Sequence, residues 1–458
     1  MDREASRYLD DWLARANRQP LVVRGARQVG KTWLVRDLAA RHRRRLVELN
    51  FERDPSAAKA FASSDPRVVL ERLSLTLDVD VAPESSLLFL DEVQAAGAVL
   101  ARLRWFAEEL PALPVIAAGS LLEFVLADHD FSMPVGRIGY LHLEPMSFPE
   151  FLRAHGQSRL LAGLSSWEPG DELDGVVHER AAQWFARYLM VGGMPGVVGA
   201  DAERGDAAEC RRMQRDLIGT YRDDFAKYAT RMDVTVLDGV LLSVVRSLGR
   251  KFVYARVGEG VKQHQAKRGL ELLARARLCH LVPHSDATGL PLAAEARDRM
   301  RKAIALDVGI VHGLLNTPAG AAFPAASDLS DQMRSQLADQ IAGQQLRTAI
   351  SDPGQEPALH YWHREGGRPG EIDYVVQIGS RIVPVEIKSG AAGAMKSLHQ
   401  FVHDRRLKVA VRLDANPPSV QRLSLKTTRG ERVRYTLANL PHYLTWRIAD
   451  AVAGAMSR

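Results

Sequence analysis

The stretch Gly25-Ala26-Arg27-Gln28-Val29-Gly30-Lys31-Thr32 follows the apolar run Leu21-Val22-Val23 and opens a segment with helical spacing, 30–41. A G-x-x-x-x-G-K-[ST] pattern between a strand and a helix is the signature of a phosphate-binding loop. Its glycines let the backbone curl so that successive N–H groups, from Gly25 through Ala26, Arg27, Gln28, Val29 and Gly30, face phosphate oxygens at the positive end of a helix. Lys31 has the reach for β- and γ-phosphates, and the Thr32 hydroxyl can ligand Mg²⁺.

One motif needs a partner. Sixty residues on, Leu87-Leu88-Phe89-Leu90-Asp91-Glu92 reads as a strand buried on both faces that ends in two acids. This suits a Walker B element, with Asp91 on the magnesium shell and Glu92 polarising the attacking water. A third strand, 114–118, ends at Gly119-Ser120. Ser120 either senses the γ-phosphate or caps a helix beginning at Leu121. Arg137, just before a short strand at 141–143, either supplies a cation to the phosphate, in cis or from another subunit, or is a plain surface arginine. Short apolar strands alternating with amphipathic helices over the first 155 residues (21–23, 46–51, 66–78, 87–90, 114–118) predict a parallel α/β sheet.

Working outward, 458 residues suggest about three domains. Hydrophobic residues at 46% and charged residues at 25% describe an ordinary globular chain, which excludes wholesale disorder. No apolar run approaches the ~18 residues that span a bilayer, and no apolar leader follows the N-terminal Met-Asp-Arg-Glu. Cys210 and Cys279 are too few for a disulfide framework or a zinc site and read as small buried hydrophobes. A cytoplasmic protein without a membrane partner is expected. Segments 178–190, 206–230, 234–248 and 261–277 have helical periodicity, with one small hairpin near 278–283 and a Gly/Ala/Pro-rich linker at 317–326. The division that follows is 1–160, 161–325 and 326–458.

The last third carries a second set of acids. A helix at about 333–349 precedes strands at 358–364, 371–378 and 381–388, then a helix at 395–404 and a strand at 407–413. Alternate strand residues share a face, so Glu386 and Lys388 project together, and Asp373 on the neighbouring strand can stand beside Glu386. Asp followed by Glu-x-Lys is the constellation of PD-(D/E)xK nucleases. In it, two carboxylates (Asp373, Glu386) hold Mg²⁺ or Mn²⁺ and the lysine (Lys388) activates or orients a water against a phosphodiester. A leading-helix acid would complete it; Asp339 is available, whereas Gln345 stands where an acid would be comfortable. The window 396–432 holds nine Lys/Arg against three acids, out of a whole-chain net charge of +6. It is either a solvated face or a polyanion-binding surface next to the metal site. Fourteen histidines show no paired spacing that suggests a metal site.

Together, Gly25–Thr32, Leu88–Gln94, Ala118–Phe124, Arg137 with Glu144-Pro145-Met146-Ser147-Phe148 and Phe151, Gly192-Gly193-Met194-Pro195, Leu306-Asp307-Val308-Gly309, and Tyr361–Lys388 with Lys396-Ser397-Leu398 resemble one family. It is the prokaryotic AAA+ ATPases that pair an N-terminal AAA_14 domain with a C-terminal DUF4143 domain. The resemblance implies an α/β P-loop NTPase core with an AAA+-like parallel sheet, a mostly helical middle domain and a C-terminal restriction-endonuclease-like α/β domain, with ATP and Mg²⁺ as cofactors. Two functions remain open. ATP turnover drives or gates DNA binding or cleavage by the tail, or the chain is an ATP-controlled switch whose tail only holds a nucleic acid or a partner protein. An Arg137 acting in trans would add a nucleotide-dependent oligomer.

Overall fold

The computed structural model describes residues 2–120, 122, 136–228, 232–318, 328–366, 370–390 and 393–457. The start of the helix expected after Ser120 and most of the expected linker at 317–326 lie outside these residues.

Two sheets organise the chain. The first holds β1 (Leu21–Arg24), β2 (Arg45–Asn50), β3 (Ser86–Asp91), β4 (Val115–Ala118) and β5 (Gly139–His142), in the order β2-β3-β4-β1-β5. Every pairing is parallel. All six residues of β3 and all four of β4 are buried, as continuous apolar strands covered on both faces should be. Alternation divides the sheet between two cores. Leu21, Val23, Phe89 and Ile116 face one, and Val22, Leu88, Leu90 and Ala117 face the other.

Helices dominate 148–275, with Gly175–Val191, Ala207–Tyr228, Val234–Arg246 and Gln263–Arg275 falling on the expected segments. Cys210 and Cys279 are buried, free thiols. Phe185 and Tyr188 are core residues, and Trp184 and Leu189 pack against them.

The second sheet runs β12-β13-β11-β10-β9-β8-β6-β7. Its centre is β8 (His360–His363), β9 (Glu371–Ile378), β10 (Arg381–Ile387) and β11 (Val409–Asp414), at the expected places. Its flanks were not expected. The end of the basic window folds into a further hairpin, β12 (Ser419–Lys426) against β13 (Arg432–Pro441). The small hairpin of the middle segment extends to β6 (Cys279–Ser285) and β7 (Ala296–Ala305) and joins the same sheet through His284 opposite Tyr361. The sheet therefore draws strands from both sides of the 325/326 division. One continuous core links the face of the first sheet, the helices and the face of the second.

Candidate functional site

The phosphate loop leaves β1 at Arg24 and enters the helix Lys31–Arg41. Gly30 has φ 97°, a left-handed conformation that only glycine adopts without strain. A Cβ on Gly25 would stand 2.5 Å from the Leu143 carbonyl oxygen. Ala26 and Val29 are buried beneath the loop. Lys31 Nζ donates to the carbonyls of Gly25 (3.0 Å) and Ala26 (2.9 Å), and burial pushes its ammonium down to about 8.

The sheet order brings the remaining groups to this loop. β4 lies between β1 and β3, so the chain leaving β4 passes between the loop and the two acids. Thr32 Oγ1 donates to Asp91 Oδ2 at 3.1 Å, and Asn50, at the end of β2 opposite Asp91, approaches the same oxygen at 3.4 Å. Burial, and then the neighbouring Glu92, raise the Asp91 carboxyl above its usual range. Glu92 has φ 49°, and its Oε2 accepts from Gln94 Nε2 (2.5 Å), Ser120 Oγ (3.2 Å) and Ser120 N (3.3 Å). Lys31, Thr32, Asp91, Glu92 and Ser120 thus converge. Thr32 and Asp91 are an oxygen pair that fits Mg²⁺.

Arg137 does not join them. It precedes β5, which runs parallel to β1, so it stands at the edge of the sheet where the strands begin, opposite the phosphate loop. There its Nε pairs with Glu108 at 2.8 Å, with the side chain 52% exposed. This placement removes the cis role. Three residues outside the motif tie the loop to the rest of the chain. Arg27 Nη1 bonds Asp224 at 2.5 and 2.7 Å, Tyr221 Oη donates to the Arg27 carbonyl, and Arg3 Nη1 donates to the Val29 carbonyl at 2.8 Å. None carries a local sequence signal, because each contact spans many residues.

At the second site, the register of β9 on β10 (Val385 opposite Tyr374) sets Asp373 opposite Glu386 one step further on. Asp373 Oδ2 accepts from the Ile387 N–H at 2.8 Å, and Lys388 Nζ donates to Glu386 Oε1 at 2.6 Å. The other Glu386 oxygen is buried and has no hydrogen-bond partner among the described residues. Asp339, on the helix Asp331–Ala349, joins the cluster. Burial, reinforced by Asp373, holds its carboxyl up at about 8, and the same causes push Glu386 up to about 7. An acceptor-rich pocket with an orphaned carboxylate oxygen fits a cation. Gln345 is elsewhere, donating to the His442 carbonyl at 3.1 Å. Lys302, from β7, and Glu371 also belong to this cluster, and the sequence reading missed both. Lys302 pairs with Glu371 and stands 3.9 Å from Asp373. The histidines hold one surprise: folding brings His403, Asp404 and Glu431 together, with one ligand atom from each within 4.8 Å of the others. Arg364, 3.6 Å from Asp404, already serves that exposed group as a counter-ion.

Among the described residues no helix is long and apolar enough to cross a membrane. Residues 17–152 match the family model described as an AAA domain. Residues 182–320 match a domain of unknown function, DUF8612, and residues 334–434 match another, DUF4143. No curated protein matches the chain. Solved structures similar to it include the Walker-type ATPase PABY2304 of Pyrococcus abyssi, 16% identical, with 69% of this chain and 95% of that one covered and a TM-score of 0.42. They also include the ORC2 protein of Aeropyrum pernix in its ADPNP and ADP complexes, 14% identical, with 61% and 85% covered and a TM-score of 0.30. The chain thus joins an AAA domain at its N-terminal end to a DUF4143 domain at its C-terminal end, with a DUF8612 segment between them.

Proposed function

We propose that this chain is a Mg²⁺-dependent ATPase whose nucleotide cycle drives or gates an act on DNA by the C-terminal carboxylate–lysine site. The observation that carries the ATPase half is the convergence of Thr32, Asp91, Glu92 and Ser120 on the phosphate loop. Lys31, held against two carbonyls, is placed to exchange them for phosphate oxygens, whose charge would keep it protonated. Ser120 and Gln94 fix the Glu92 carboxylate, which acts as base toward the attacking water. Thr32 and Asp91 would hold the magnesium, which when bound would supply charge neutralisation on the phosphates.

For the C-terminal site, Asp373 and Glu386 are the pair that would hold a second Mg²⁺ or Mn²⁺, with Lys388 beside it to contact a scissile phosphate. The exposed Arg406, Lys408, Arg422, Lys426, Arg429 and Arg432 offer a basic surface for a DNA backbone, toward the end of the sheet where β10 begins rather than beside Glu386. A second reading, an ATP-controlled switch whose tail binds a nucleic acid or protein without cutting, is favoured by the Lys388–Glu386 ion pair, which occupies both groups. A half-exposed Arg137 is compatible with service in trans, and sizing with a non-hydrolysable ATP analogue tests for the oligomer this requires.

The deciding experiment incubates supercoiled DNA with Mn²⁺ at low salt and compares wild type, Asp373→Ala and Lys388→Ala. Nicking lost in both variants supports cleavage. DNA binding that falls steeply with salt, without nicking, supports the switch. If DNA is neither bound nor cut and leaves ATP turnover unchanged, the DNA reading is wrong.

A further inference from the structure

We infer that Lys302 occupies the cation position of the C-terminal carboxylate site, so that the middle segment plugs the site and a divalent ion enters only by displacing the ammonium. The inference rests on reading Asp373 and Glu386 as a metal-binding pair, and it adds how that pair is regulated.

The acids come from the C-terminal segment: Asp339 from its leading helix, Glu371 and Asp373 from β9, and Glu386 from β10. Lys388 of the same segment pairs with Glu386, and a second cation among them, Lys302, comes from β7, in the DUF8612 segment. Lys302 is 3% exposed, which is uncommon for a lysine and is sustained by its surroundings. Its Nζ pairs with Glu371, lies 3.9 Å from Asp373 Oδ1 and sits 5.1 Å from the centre of the Tyr361 ring, across which it reaches the acids. Carboxylates on one side and an aromatic face on the other are what a bound cation would meet. The neighbouring chain is fitted as closely. Lys251 bridges to Lys302, and the Phe252 N–H donates to the Arg301 carbonyl at 3.0 Å. Gly249, at φ +72°, presses so near that a Cβ would stand 2.5 Å from Asp339 Oδ2. The middle segment thus supplies both a lid, at 249–252, and a charge.

A divalent ion between Asp373 and Glu386 would lie within a few ångströms of this ammonium, and in a partly desolvated site that repulsion is strong. Metal and Lys302 therefore compete for Asp373. Displacement of β7 then opens the site, which makes movement of the middle segment, the part of the chain that also holds Arg27 of the phosphate loop through Asp224, the control on metal entry.

The test titrates nucleotide-free full-length chain with Mn²⁺ alone, reading free Mn²⁺ by its paramagnetic resonance signal. Lys302→Gln should bind one Mn²⁺ at least about tenfold more tightly than wild type, since a like charge has gone from the site. Asp373→Asn should abolish that gain, and Lys302→Arg should bind as weakly as wild type. Lys388→Gln removes equal charge without opening the plug and should gain less; an equal gain overturns the inference. Equal Mn²⁺ affinity in wild type and Lys302→Gln, lost in both on adding Asp373→Asn, overturns the plug and leaves the metal pair standing. Mn²⁺ binding indifferent to Asp373→Asn in both backgrounds overturns the two together. A measurement on wild type needs no variant to fold: saturating Mn²⁺ should speed amide exchange across 300–304, and unchanged exchange there contradicts displacement.

Discussion

Gly25 leaves no room for a side chain, with the Leu143 carbonyl 2.5 Å from where a Cβ would be. Backbone cannot move aside as a flexible side chain can, so Gly25→Ala should cost about 1–3 kcal/mol by overpacking. It should also weaken nucleotide binding, and chemical denaturation together with a fluorescent-nucleotide titration reads both. Lys31→Ala should lose nucleotide binding while keeping the fold, because its partners are two carbonyls that water can reach once the chain is truncated. Residues of this kind were legible in the sequence. Gly25–Thr32 and Asp91–Glu92 carry their chemistry in local spacing, and so does Glu386-x-Lys388. Lys302 was not legible, since a charge in an alternating strand reads as solvated until the fold shows what it faces. Arg137 stayed open between a cis cation, a trans cation and a surface arginine for a similar reason: nearness in sequence to a strand does not tell which end of the sheet it occupies.

The helix Phe148–Ala154 shows how an element fastens the loop. Ser147 caps it, and the Glu150 side chain returns to the Ser147 N–H at 2.8 Å, a reciprocal capping box. Glu150 also takes Arg3 Nε at 2.9 Å, with both side chains 4% exposed, and the same guanidinium holds the Val29 carbonyl in the phosphate loop. Arg3→Ala leaves the Glu150 carboxylate buried and unpaired, which costs about 3–5 kcal/mol. Glu150→Gln keeps one of the two acceptor oxygens and strands no carboxylate, and Arg3 retains the Val29 and Glu144 carbonyls, so it should cost less. Melting temperatures of the two variants check the order. At this scale the β9 and β10 strands were readable from alternation, and the helices from periodicity. The hairpin of β12 and β13 was hidden by its charges. On an edge strand, exposed Arg422 and Lys426 discourage pairing with another chain, so a strand there looks like a basic loop.

Across the whole molecule, Glu144 collects three parts of the chain. It follows β5 of the AAA domain and pairs with Arg347 of the C-terminal segment (2.8 Å) and with His280 (3.4 Å) and Arg277 (4.0 Å) of the middle segment. Burial works to raise its carboxyl, but the guanidiniums, Arg347 above all, outweigh burial and hold it well below the usual range. Burial, helped by Arg347 and Arg277, pushes His280 down to about 3. Both groups are depressed in the folded chain, so the unfolded chain binds more protons. The stability due to His280 is complete above its ordinary value near 6.5 and is lost as pH falls toward about 3. From pH 7 to pH 5 that loss is about 2 kcal/mol. His280→Gln should flatten the acid limb of the denaturation profile by about that amount, and an unchanged slope would show that His280 is not the group responsible. A junction assembled from residues 144, 277, 280 and 347 cannot be read from sequence, where none of its members is a neighbour of more than one other. The central claim is that Lys31, Thr32, Asp91 and Glu92 make one working ATPase site, and Mg²⁺-dependent phosphate release by wild type and Glu92→Gln, with ATP affinity measured in parallel, tests it most directly. Glu92→Gln should bind ATP about as well as wild type and release phosphate at least about a hundredfold more slowly, the usual scale for losing a general base; turnover by Glu92→Gln at the wild-type rate would contradict the account.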